Sequence, residues 1–213
     1  MKNIVILGGG TAGWMTANLL QKKWRQLGIQ ISVVESPDIG IIGVGEGSTP
    51  LLKEFFDSLE ISESEWMPQC NATYKNGISF NDWSTVPGYE SYFHPFPCSL
   101  DFATLGLLYK YTELRRKGVD VLAHPNRFSL MAGLTERKLA PLPTENFPFH
   151  FQYGYHFDSV LIGKFLREKA KESGVSHIEA TVEKVEQESD GSIKSLLLNT
   201  GQILSSDFFV DCS

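Results

Sequence analysis

The chain has 213 residues, 42% of them hydrophobic and 21% charged, which is enough apolar material for one large domain or a domain with an insertion. A formal charge of −6 at pH 7 and the lack of any basic run argue against nucleic-acid binding as its main business. No apolar stretch is long enough to span a membrane, so no membrane role is expected. Three cysteines without a C-x-x-C pair fit reduced thiols in a cytoplasmic protein, and the five histidines show no metal-ligand spacing. The first residues read as a structural strand, so a signal peptide is not expected.

In chain order, Asn3-Ile4-Val5-Ile6-Leu7 reads as a buried strand running into a glycine turn and a helix. Gly8, Gly10 and Gly13 fill a G-x-G-x-x-G frame: the first permits the tight turn, the second lets a pyrophosphate approach the backbone, and the third lets the helix lie close on the strand. The helix start then offers free N–H groups and partial positive charge to phosphates. Thr11 to Arg25 lacks proline and carries Trp14, Met15, Ala17, Leu19 and Leu20, a helix that Gly28 ends. A β-branched strand over 29–34 follows, closed by Glu35 about 20 residues past the glycines, where a carboxylate accepts hydrogen bonds from a ribose. Alone, Glu35 would read as a solvated strand-end carboxylate; with the glycines at this spacing the unit reads as a dinucleotide site.

A second glycine cluster runs from Gly40 to Pro50, with Thr49 as N-cap and Pro50 as first helical residue of a segment placing Leu52, Phe55, Phe56 and Leu59 on one face. Four glycines within eight residues suggest backbone passing close to a flat ligand, where the alternative is a flexible surface loop. From about Cys70 to His150 aromatics and prolines are dense, with one helix expected over Ser99–Lys117; this suits an inserted layer with an aromatic-walled pocket. Regular structure returns with Asp158 capping a helix over 159–173. A strand over His177–Gln187, a turn at Asp190-Gly191 and a hairpin partner over Ile193–Asn199 complete the pattern. Phe208-Phe209-Val210 reads as a core strand at the very end, so the chain is expected to be the N-terminal portion of a longer protein.

These residues resemble the flavin-dependent tryptophan halogenases. The resemblance rests on Gly8-Gly9-Gly10-Thr11-Ala12-Gly13-Trp14-Met15-Thr16-Ala17, where Trp14 after the third glycine is distinctive, and on Gly43-Val44-Gly45-Glu46-Gly47-Ser48-Thr49-Pro50. Tyr155-His156-Phe157-Asp158 and the terminal Asp211-Cys212-Ser213 match two further family motifs in the right order. The resemblance implies an α/β, Rossmann-like FAD-binding fold of the flavin monooxygenase type. A discontinuous FAD module over 1–69 and 151–213 would carry an inserted substrate-facing region over 70–150. It implies FAD, supplied reduced by a separate flavin reductase, with O₂ and chloride or bromide as co-substrates that yield hypohalous acid. Cofactor binding would fall to Gly8, Gly10, Thr11, Ala12, Gly13, Glu35, Gly45, Glu46 and Val182.

By the same resemblance Lys75 is the catalytic lysine beside a small aromatic substrate. An ammonium can hydrogen-bond hypohalous acid and sharpen its halogen as an electrophile, while a neutral amine, favoured by burial, could carry it as a haloamine. His94 and Phe96, in an H-P-F segment, correspond to substrate-sandwiching rings, with core plugging as the alternative. Glu46 could bond the flavin or brace its own loop. The family's W-x-W-x-I-P motif and the glutamate that works beside the lysine are absent and should fall beyond residue 213. Two other readings stand beside the halogenase: a related flavin monooxygenase, and a truncated FAD-binding module without catalysis. Neither substrate identity, halide preference nor oligomeric state is legible.

Overall fold

The computed structural model describes every residue except 1, 41, 42 and 44. Its strands are β1 (Asn3–Leu7), β2 (Gln30–Glu35), β3 (Gly45–Gly47), β4 (Thr73–Lys75), β5 (Gly77–Phe80), β6 (Tyr92–Pro95), β7 (Gly154–Asp158), β8 (Ser176–Glu179), β9 (Val182–Gln187), β10 (Ile193–Leu198), β11 (Ile203–Ser205) and β12 (Phe208–Asp211). Its helices are α1 (Thr11–Trp24), α2 (Leu51–Leu59), α3 (Glu63–Gln69), α4 (Asp101–Arg116), α5 (Leu130–Glu136) and α6 (Ser159–Glu172). The chain divides into two compact units, one of Met1–Glu46, Phe56–Ala72 and Phe157–Ser213, the other of Gly47–Phe55 and Thr73–His156. The segment 47–55 thus joins the second unit, whose other boundaries fall a few residues past the expected 70–150. Among the described residues no helix is long and apolar enough to cross a membrane.

The first unit is built on a parallel sheet of order β12-β1-β2-β8. Central β1 is fully apolar at Ile4, Val5 and Ile6, each 5% exposed or less, because both faces of a parallel sheet are covered. On one side lie α1 and α6, tied by Asn18, whose Nδ2 donates to the Trp14 and Leu166 carbonyls at 2.8 Å each. On the other, the antiparallel sheet β11-β10-β9 packs Leu196 and Leu198 against Val5 and Val34. Asp158 caps α6 as its position predicts, accepting from the Val160 and Leu161 amides at 2.9 Å. Phe56 stacks on Trp66 at 4.3 Å and anchors α3.

The strand expected over His177–Gln187 is two strands. β8 pairs with β2 and β9 with β10, and the break at Ala180-Thr181 is held by Ala180 N donating to Glu35 O and by a 2.7 Å hydroxyl pair between Ser36 and Thr181. The hairpin β9–β10 closes where expected, with Gly191 at φ +88°. The terminal strand is present as β12, an edge strand with Phe208 55% exposed.

In the second unit β4 and β7 pair antiparallel with Tyr74 opposite Tyr155 and Lys75 opposite Gly154. β3 completes that sheet in the order β3-β7-β4, so part of the second glycine cluster is strand rather than loop; Ile41, Ile42 and Val44 lie outside the described residues. α2 begins at Leu51, leaving Pro50 in the turn before it. The single helix expected in the aromatic region is joined by α5 and the hairpin β5–β6. Buried Asp101 holds this region together, accepting from Leu130 N at 2.7 Å and Cys98 N at 3.0 Å.

Candidate functional site

Two cavities, one in each unit, hold some of the residues singled out by sequence, Glu35 in the first and Lys75 in the second. In the first unit, the glycine turn follows β1. Gly8 has φ +108°, which favours glycine, and a Cβ there would lie 2.5 Å from the Cys212 carbonyl oxygen. Cys212 N donates to Leu7 O at 2.7 Å, so the Asp211-Cys212-Ser213 segment beds against the turn. A Cβ on Gly13 would run into the Gly8 carbonyl oxygen, so this glycine sets the close seating of α1 on the turn. Gly10 is the helix N-cap, with open space where a Cβ would sit. Trp14 N to Gly10 O, 3.1 Å, is the first helical bond, which leaves the Thr11, Ala12 and Gly13 amides ahead of it at the positive end of the helix.

Glu35 ends β2 and lines a cavity of about 420 Å³ together with Gly9, Trp14, Ser36, Lys164 and Arg167. Its Oε2 lies 2.8 Å from His177 Nε2 and 3.8 Å from Arg167 Nη1. Of the glycine turn and helix start only Gly9 and Trp14 line this cavity; Gly8, Gly10, Thr11, Ala12 and Gly13 are not among its described lining residues, although the turn and Glu35 stand at the ends of adjacent parallel strands, where such sheets bind ligands. Val182 is placed differently from expectation. It packs on the Val5, Val34, Ala180, Leu196 and Leu198 cluster, because β9 belongs to the covering sheet, and it is not among the described residues lining the crevice. Gly45 and Glu46 are not among them either; Glu46 folds back so that Oε1 lies 3.2 Å from where a Gly43 Cβ would stand.

In the second unit Lys75, the half-buried last residue of β4, borders a cavity of about 780 Å³ with Gly47, Tyr74, Asn76, Phe93 and His156. Its Nζ donates to the Ser48 carbonyl at 3.1 Å and stands 5.5 Å from the centre of the Phe96 ring. Gly47 makes room for this head group, since a Cβ there would lie 3.0 Å from Nζ and 3.2 Å from the His156 ring. Partial burial and, secondarily, the positive charge of Lys75 hold His156 below the usual histidine range. Asn76 donates to Thr135 Oγ1 and Leu139 O at 3.2 Å each, while its Oδ1 is buried without a partner among the described residues.

The expected His94–Phe96 pair is divided. Phe96 is 8% exposed beneath the Lys75 ammonium, whereas His94 is exposed and turned edge-on to Phe80 at 6.4 Å. The described ring that lines the cavity from β6 is Phe93, one residue earlier, because alternation in the β5–β6 hairpin sends 93 and 94 to opposite faces.

A family model for tryptophan halogenase matches residues 3–213. The chain belongs to the tryptophan halogenase family. It is 35% identical to tryptophan 7-halogenase RebH of Lentzea aerocolonigenes over 99% of this chain and 42% of that protein. Among solved structures it is similar to a flavin-dependent halogenase from Xanthomonas campestris, with TM-score 0.84 and 34% identity, and to BrvH from Brevundimonas sp. BAL3, with TM-score 0.82 and 33% identity. Both likenesses cover the whole of this chain and 42% of the other. The chain therefore spans less than half the length of the relatives it matches.

For this halogenase-family chain the α/β, Rossmann-like fold stands as expected. Several residues of both cavities were not singled out as site residues from the sequence. Gly9, the middle of three glycines, has space for no side chain, because a Cβ would meet the Glu35 side chain; the run of three was the available sign. His177, Arg167 and His156 reach their sites only through strand pairing and helix packing over more than 80 residues of chain.

Proposed function

We propose that this chain is the FAD-holding and lysine-bearing part of a flavin-dependent halogenase acting on tryptophan or another electron-rich arene. The observation that carries the proposal is Lys75, a half-buried ammonium tethered to Ser48 O at the wall of a large cavity with the Phe93 and His156 rings. The first unit offers groups that suit the ADP half of FAD: open space at Gly10 and the amides of Thr11 to Gly13 suit the pyrophosphate, and Glu35, in the crevice lined by Gly9 and Trp14, suits the ribose. When bound and reduced, FAD with O₂ and chloride or bromide supplies hypohalous acid. A separate flavin reductase would deliver the reduced cofactor in the cytoplasm.

Lys75 then donates a hydrogen bond from Nζ to the hypohalous oxygen. That draws electron density from the halogen and lets the arene attack it; the oxygen leaves as water once it has taken up a proton, and the ring loses its own proton. Phe96 beneath Nζ keeps the ammonium partly desolvated, which strengthens this hydrogen bond. Neutral His156 beside it adds no second positive charge at neutral pH.

The test uses the intact polypeptide that carries this chain, with a flavin reductase, bromide and tryptophan or indole. Halogenated product by mass, lost in Lys75→Ala while hypohalous acid is still released, is the expected result. Unchanged halogenation in Lys75→Ala overturns the lysine's role, and a product heavier by one oxygen favours the monooxygenase reading.

A further inference from the structure

Trp14 sets this glycine turn apart in sequence, yet its indole is 1% exposed and used for packing. Its ring meets that of His177 in a T-shaped contact, with centroids 5.1 Å apart and planes at 75°. The His177 side chain is itself 9% exposed, and its Nε2 lies 2.8 Å from Glu35 Oε2. A carboxylate offers only acceptors, so Nε2 carries the proton and donates. The sheet dictates this meeting. β8 pairs with β2 so that His177 lies opposite Val33 and Glu179 opposite Glu35, which puts His177 diagonal to Glu35 on one face.

The remaining neighbours leave one oxygen available. Arg167 Nη1 stands 3.8 Å from the same Oε2, and His177 Nδ1 is 3.8 Å from Glu179 Oε1. Glu35 Oε1 has no hydrogen bond or ion pair among the described residues, and Glu35 lines the crevice. The carboxylate lies over Gly9, where any Cβ would displace it.

We propose that His177 is a positioning residue for dinucleotide recognition. Braced by Trp14, it fixes Glu35 through Oε2 and so presents Oε1 to the hydroxyls of the adenosine ribose. The proposal rests on the reading of this crevice as the FAD site. It also gives the distinctive tryptophan of the glycine turn a task that is indirect, since Trp14 holds the residue that holds the carboxylate.

The test is titration of FAD into the intact polypeptide carrying this chain, followed by flavin fluorescence, in parallel with an FAD analogue lacking the adenosine 2′-hydroxyl. His177→Leu should weaken FAD about tenfold and the analogue about twofold or less. His177→Gln, whose amide stands where Nε2 stood, should recover most of the affinity, whereas His177→Asn, which mimics Nδ1, should not. This pair decides the matter even if the leucine variant does not fold. In a Glu35→Gln background, His177→Asn should add nothing, as expected for two residues acting through one contact. Equal weakening of FAD and analogue, or equal affinities of the Gln and Asn variants, would overturn the proposal while leaving the FAD reading intact. No FAD binding by the unsubstituted protein would overturn the FAD reading and the proposal together.

Discussion

Gly10 and Gly13 stand three residues apart in one motif, and alanine at each should fail in a different way. At Gly13 the added methyl meets the Gly8 carbonyl oxygen, a backbone atom that cannot rotate aside, so α1 must lift from the turn. Overpacking of this kind costs about 1–3 kcal/mol. For a chain of this size that lowers Tm by about 2–12 °C. At Gly10 nothing lies within 4 Å of the new methyl, and φ is −71° with ψ 178°, a conformation any residue adopts. Its apo stability should therefore stay within about 1 kcal/mol, the modest N-cap loss being offset by a less flexible unfolded chain. Under the proposed FAD site, however, the methyl would stand between the pyrophosphate and the helix amides, so FAD affinity should fall at least about tenfold. Thermal melts of the apo protein and FAD titrations, run on both variants, separate the two roles. A Gly10→Ala protein that binds FAD normally would refute the reasoning about the crevice, and an unchanged Tm for Gly13→Ala would refute the packing argument.

Two further outcomes follow from the side chains of the sites. His156 is held below the ordinary histidine range first by burial and then by Lys75, so its folded-state contribution is present above pH ~6.5 and lost as pH falls through the lowered value. Lys75→Ala removes the second cause, and an NMR titration of the His156 ring should move upward; no movement would show that the two groups do not sense each other. For the thiols, burial and, less strongly, the Asp158 charge push Cys70 up to about 11, and Cys70 and Cys98 are both fully buried. Alkylation at pH 8 followed by mass spectrometry should modify Cys212 first and leave the other two until the protein unfolds. Early modification of Cys70 would contradict its placement.

What was legible in the sequence was local. The β1–α1–β2 unit announces itself through an unbroken apolar run, three spaced glycines and the αL stop at Gly28, all within 35 residues. Asp158 likewise caps its helix by bonds to residues two and three positions on. Where the reading went astray, the deciding partner was remote. Nothing within His177–Gln187 marks the break at Thr181, because the two halves are claimed by different sheets, β8 by β2 and β9 by β10. The choice of Phe93 over His94 as cavity wall depends on which face of β6 turns inward, and that is set by its pairing with β5. His177 and Glu35 are 142 residues apart, a separation no motif spans.

The placement of β1 between β2 and β12 also has a consequence on the ribosome. One neighbour of β1 begins at Gln30, whereas the other begins at Phe208. At about 5–20 residues per second, one edge of the most apolar strand waits on the order of 10–40 s for its partner to be synthesised. Throughout that interval a row of unpaired amides and carbonyls is open to pairing with a neighbouring nascent chain. The most apolar strand of the parallel sheet is thus a point at which a growing polypeptide is exposed to mispairing until β12 is made.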